Sequence, residues 1–199
     1  QDTPLDLGPS GVIPGSHYFN SPEGAPIDAE IPLVAKAGTV TICDYDLWHR
    51  AMPNTSDRNR FMIKFLFARM TEPEKPTWNN AVREWVKIPS VLPGDDMDWQ
   101  QMYAHRWYWH CGEYQTPKRI TNKPPEELLN NIAGNNERQA IAAAYEIASL
   151  GGYMVNELIE LLDSDYEMIR RNSAYALSAI GAPSVKLLQQ ALQTGKTAK

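Results

Sequence analysis

Residues 145–192 repeat themselves at a fixed interval. Tyr145 aligns with Tyr175, Gly151 with Gly181, Val155 with Val185, Leu158 with Leu188 and Leu162 with Leu192, each pair 30 residues apart. Each copy reads as an Ala-rich apolar helix, a glycine turn and a second amphipathic helix. A unit that short cannot bury its apolar face alone, so such copies fold by stacking on one another or on a neighbouring segment. Two copies are few for a free-standing stack. They require support from the preceding segment, from a degenerate copy before Asn136, or from further repeats. Ser164-Asp165 marks the turn between copies, with Asp163 or Ser164 as the expected cap of the next helix.

The rest of the chain differs in character. Of its 199 residues, 43% are hydrophobic and 22% charged, which is ordinary for a globular chain. A net charge of −5, with no arginine-rich segment, argues against nucleic acid as a partner. No apolar run reaches membrane-spanning length. Cys43 and Cys111 form no CxxC pair, which suggests reduced, incidental thiols and a cytoplasmic location.

Three zones follow from composition: 1–70, 71–130 and 131–199. The first is rich in β-formers and turn residues. Gly11-Val12-Ile13-Pro14, Gly38–Asp44 and Arg60–Phe67 are apolar or β-branched runs separated by Pro, Gly, Asn, Asp and Ser, a pattern that predicts antiparallel strands. The second carries five of the six tryptophans and many prolines. It reads as a packing segment and linker, with one short helix over 98–110 and indoles used for burial. Glu126 and Glu127 follow Pro124-Pro125, as acidic residues do at a helix start. The last zone is the helical repeat.

The chemistry concentrates near His49. It ends one apolar run; a polar turn follows, and Arg60 opens the next run eleven residues on. In a β-hairpin, those two places face one region of space. A neutral imidazole there can bind a metal and a guanidinium can hold a carboxylate, as a metal-bound 2-oxo acid with a distal carboxylate requires.

Upstream lies Gly8-Pro9-Ser10-Gly11-Val12-Ile13-Pro14-Gly15-Ser16-His17. Taken in order with 37–60 (AGTVTICDYDLWHRAMPNTSDRNR) and 61–67 (FMIKFLF), it resembles the C-terminal half of the phytanoyl-CoA dioxygenase family over about residues 1–70. The resemblance implies a partial double-stranded β-helix (jelly roll), so the fold class is α+β and multi-domain. It also implies an Fe(II)/2-oxoglutarate-dependent dioxygenase that hydroxylates a small organic substrate. His49 matches the distal iron-binding histidine, and Arg60 the arginine that pairs with the far carboxylate of 2-oxoglutarate. Arg58 rivals Arg60 in charge but not in spacing. Asn54 matches a turn residue, while His17 and Trp48 are pocket candidates. The tail resembles short HEAT-like repeats, a candidate docking face for a protein partner.

One departure matters. A facial triad needs a second histidine and a carboxylate, normally as His-x-Asp. The histidines here are 17, 49, 105 and 110, and none has Asp or Glu two residues on. The expectation is a fragment, cut through the middle of the barrel at Gln1, inactive alone and left with an exposed sheet edge. A second reading stays open: a non-catalytic binding or scaffold protein with a degenerate or truncated jelly roll. Two other metal readings carry little weight. His105, His110 and Cys111 do not share one helical face, and Asp95, Asp96 and Asp98 lack the glycine and glutamate of a calcium loop.

Overall fold

The computed structural model describes residues 1–21, 27–79, 81–88, 97–113 and 121–193. Asp95 and Asp96 of the calcium reading lie outside these residues. The chain divides into two compact units, one built on residues 1–70 and one on the described residues from Thr71 onward.

The N-terminal unit holds a three-stranded antiparallel sheet. β1 (Ser10–Val12) lies between β2 (Ile31–Pro32) and β3 (His49–Ala51). Val12 pairs with His49, Gly11 with Arg50 and Ser10 with Ala51. Hydrogen bonds extend this pairing at both ends: Ile13 N–H donates to the Trp48 carbonyl at 3.0 Å and Met52 N–H to that of Pro9 at 3.0 Å. Leu7, Pro9, Val12, Ile13 and Phe19 make the buried core beneath it. The central strand carries the buried Gly11 and Val12 and runs on into buried Ile13, as packing on a core demands.

Two of the predicted strands are not in this sheet. Gly38–Asp44 and Arg60–Phe67 have no ladder partner among the described residues, and their apolar side chains face water: Ile42 is 92% exposed and Phe67 90%. The jelly roll expected from the sequence is therefore not what the described residues form. The physical reason is pairing. A strand satisfies its backbone only through a paired neighbour, and neither run is paired with one among the described residues.

The C-terminal unit is helical. α1 (Gln100–His110) binds the preceding Trp/Pro-rich segment through side chains on backbone. The Gln100 amide donates to the Ile88 carbonyl at 2.6 Å and accepts from Ile88 N–H at 3.3 Å. The Trp107 indole donates to the Arg83 carbonyl at 2.7 Å, and that of Trp109 to a Glu72 carboxylate oxygen at 2.7 Å. Trp78, Trp85 and Trp107 lie in ring contact, and Trp99 is fully buried. The indoles thus bury area and tie a proline-broken strand of chain to a helix, which is the packing role.

Beyond α1 come α2 (Pro125–Ile132), α3 (Glu137–Ala148), α4 (Val155–Leu161), α5 (Glu167–Ile180) and α6 (Ala182–Gln193). Pro125 and the acidic pair Glu126 and Glu127 open α2, and the Asn136 side chain caps α3 by accepting from Gln139 N–H at 3.1 Å. The Ser164 hydroxyl accepts from Tyr166 N–H, one residue before α5, so it orders the turn and does not cap the helix as expected. The pairs α3–α4 and α5–α6 fall on the two 30-residue copies. α3 packs on α5, and α4 on α5 and α6. Leu128, Ile132, Ala144, Ile147, Val155, Leu158, Ala176 and Leu177 belong to one continuous core. Glu137, almost wholly buried, accepts from Arg171 at 2.9 Å and links α3 to α5.

Candidate functional site

The predicted site residues sit on β3 and the turn that follows it. His49 is exposed at the start of β3, directly opposite Val12. Its Nδ1 lies 2.7 Å from the Leu47 carbonyl oxygen. A carbonyl can only accept, so this contact places a proton on Nδ1, and in the neutral ring the lone pair is then on Nε2. An imidazole that donates through one nitrogen and offers the other is oriented as metal-ligating histidines are.

β3 is held from below by the glycine-rich stretch. Ser16, fully buried in a single helical turn (Ser16–Tyr18), accepts the Trp48 N–H on its hydroxyl at 2.8 Å. The sequence reading assigned that stretch's pocket role to His17. The structure gives Ser16 the tie to Trp48, one residue from His49, while the His17 ring lies 3.9 Å from that of Tyr18. A buried serine beside a histidine gives no periodicity signal, and its one legible cue is the Gly15-Ser16 turn. Trp48 is half-buried.

Arg50, the residue after His49, was not singled out by sequence either. Its guanidinium grips Glu30 in a two-point fork, Nε to Oε1 and Nη2 to Oε2, both at 2.7 Å. The hydrogen bonds from Arg50 hold the Glu30 carboxyl below the usual range, and the same fork raises Arg50. Gly11 lies opposite Arg50 in register, and a Cβ there would run into the Glu30 carboxylate. The fork therefore needs a residue without a side chain in β1.

The turn is built around Asn54. Its amide donates to the Arg58 carbonyl at 2.8 Å, and its Oδ1 accepts from both the N–H and the hydroxyl of Ser56. The N–H groups of Thr55 and Ser56 donate to the Asp6 carbonyl. Gly8 has φ +68°, and a Cβ on it would meet the Met52 carbonyl and the Asn54 nitrogen, so only glycine lets the two segments approach. Arg60 leaves this turn half-buried, and its guanidinium makes no hydrogen bond or ion pair among the described residues. Arg58 is exposed. No bond ties Arg60 to His49; the two flank the turn.

The described residues contain no group of three His, Cys, Asp or Glu side chains able to hold a metal ion. His49 fits one ligand position, and the described residues do not complete an iron site around it. The zinc reading fails by the same observation. The His105 ring lies 5.5 Å from that of Tyr145, with burial lowering its pKa, and Cys111 is a buried free thiol raised by burial. Cys43 is a free, exposed thiol. No helix of the described residues is long and apolar enough to cross a membrane.

A family model described as phytanoyl-CoA dioxygenase (PhyH) matches residues 1–62 of the 199. The match takes in Ser16, His49, Asn54 and Arg60, and makes the N-terminal segment similar to a dioxygenase-type domain. No curated protein and no solved structure matches the chain.

Proposed function

We propose that residues 1–70 are part of an Fe(II)/2-oxoglutarate-dependent dioxygenase acting on a small organic substrate, and that residues 131–199 form a HEAT-like interaction module for a protein partner. The observation that carries the first part is the His49 ring, locked by Leu47 with its Nε2 free. In this reading Nε2 is one iron ligand and Arg60 holds the far carboxylate of 2-oxoglutarate. Ser16 and the Arg50–Glu30 fork keep β3 in place, and Trp48 and His17 line the pocket. Iron, when bound, would supply the oxygen chemistry. The reading requires two further ligands that the described residues do not hold.

The ligand count also supports a second reading, a non-catalytic binding protein with a degenerate jelly roll. One experiment separates them. The protein as its source produces it is titrated anaerobically with Fe(II) and 2-oxoglutarate, following the visible charge-transfer absorption of the chelate. The oxygenase reading expects the band in the wild type, its loss in His49→Ala, and a much higher 2-oxoglutarate requirement in Arg60→Ala. Absence of any 2-oxoglutarate-dependent band in the wild type sinks it and leaves the binding protein.

A further inference from the structure

Asn172, on the second turn of α5, is fully buried, and neither its Nδ2 nor its Oδ1 has a hydrogen-bond partner among the described residues. Other polar side chains buried in the same helices fare differently. Ser173, the next residue, donates to the Leu158 carbonyl. Ser184 donates to the carbonyls of Leu177 and Gly181, and Ser149 to that of Glu146. Glu137 accepts from Arg171. Buried polar groups are paired almost without exception, because an unpaired one gives up its water and gains nothing in return. A carboxamide brings two donor protons and an oxygen with two lone pairs, so Asn172 carries a large unmet demand into an apolar core. The first copy has no such demand, since Ala142 stands at the equivalent position.

We propose that Asn172 is the seat of an internal water in the core of the helical unit. A single water can accept from Nδ2 and donate to Oδ1 of one carboxamide, and it keeps a proton and a lone pair for a third group. A helix carbonyl can take that third bond, because it retains a second lone pair beside its own helical bond. Small side chains leave the room: Ala176 lies one turn further along the same stripe of α5, and α3, which packs on α5, buries Ala140, Ala143 and Ala144. The amide is out of reach of bulk solvent, so the water that meets it is a resident one. Its presence depends on neither the oxygenase nor the binding-protein reading.

The test is water-selected NMR of the isotope-labelled full chain, read at the two carboxamide protons of Asn172. These protons are assigned through bonds from the Asn172 backbone, and they should vanish in Asn172→Ala, with helicity followed by far-UV circular dichroism. The through-bond assignment stands whether or not that variant folds. The expected result is a cross-peak from water to these protons with NOE and ROE of opposite sign, the mark of a water that stays longer than the molecule takes to tumble. The neighbouring Ser173 hydroxyl could relay such a signal, so Ser173→Ala should keep the cross-peak. The absence of any water cross-peak overturns the inference and leaves a dry, unpaired amide. NOE and ROE of the same sign, as passing solvent or proton exchange gives, overturn it as well, and so does loss of the cross-peak in a folded Ser173→Ala.

Discussion

The repeat offers a matched pair of perturbations: Val155→Ala and Val185→Ala, the same chemical change at equivalent positions of the two copies. Each deletes two methyl groups. At Val155, 2% exposed and enclosed by α5, α6 and the turn before α4, the lost transfer free energy is about 1.6 kcal/mol, at ~0.8 kcal/mol per group. The closed cavity left behind adds to this, bringing the cost to about 2.5 kcal/mol. At Val185, half of the side chain is already in water and no cavity closes, so the cost is about 0.8 kcal/mol. Alanine is the better helix former by roughly 0.5 kcal/mol, which offsets both alike. The expected losses are therefore about 2 kcal/mol at Val155 and close to zero at Val185. Urea unfolding followed by far-UV circular dichroism reads the difference directly. Equal losses at the two positions would refute the claim that only the first copy's surface is covered within the chain.

Two further outcomes follow from single contacts. Ser16→Ala leaves the part-buried Trp48 N–H without its acceptor, so the N-terminal unit should lose about 1 kcal/mol, measurable by urea unfolding monitored on Trp48 fluorescence with the other tryptophans replaced; an unchanged midpoint would show that Ser16 does not hold the His49 segment. Burial, with Arg106 beside it, lowers the His105 pKa, so the unfolded chain takes up that proton more readily than the folded one. Stability of the helical unit should be whole above the ordinary imidazole range and fall as pH drops below it, until the lower folded value is passed. His105→Phe should flatten that part of the stability–pH curve, and a curve of unchanged slope would refute the assignment.

What could be read from the sequence divides along a physical line. A helix closes its hydrogen bonds four residues away, so its signals are local. That is why Pro125 with Glu126 and Glu127 mark the start of α2, and the helix–glycine–helix pattern of each copy anticipates the pairs α3–α4 and α5–α6. The 30-residue interval anticipates the two helix pairs but not their burial, since the equivalent Val155 and Val185 are 2% and 49% exposed. It gives no sign of Asn136 as the α3 cap, or of Glu137 reaching Arg171 across helices, since both depend on which loop meets which helix end.

Strands close their bonds through partners that can lie anywhere in the chain, and the sequence does not name them. Gly38–Asp44 and Arg60–Phe67 carry a strand's composition, yet the described residues leave both bare, while β1 and β3 pair through a register that composition does not mark. The site follows the same division. His49 and Arg60 stand out in the sequence by residue type and spacing, and the roles proposed for them, a metal ligand and a carboxylate anchor, rest on those two features. Ser16, Glu30, Arg50 and Gly11 do not stand out, because each acts by meeting a residue 20 to 39 positions away: Ser16 meets Trp48, Glu30 meets Arg50, and Gly11 leaves room between strands. The chemistry of a site is written in residue type, but what holds the site in place is written in register. An arginine beside a metal-type histidine therefore calls for a carboxylate to be sought across the sheet before it is given to a ligand.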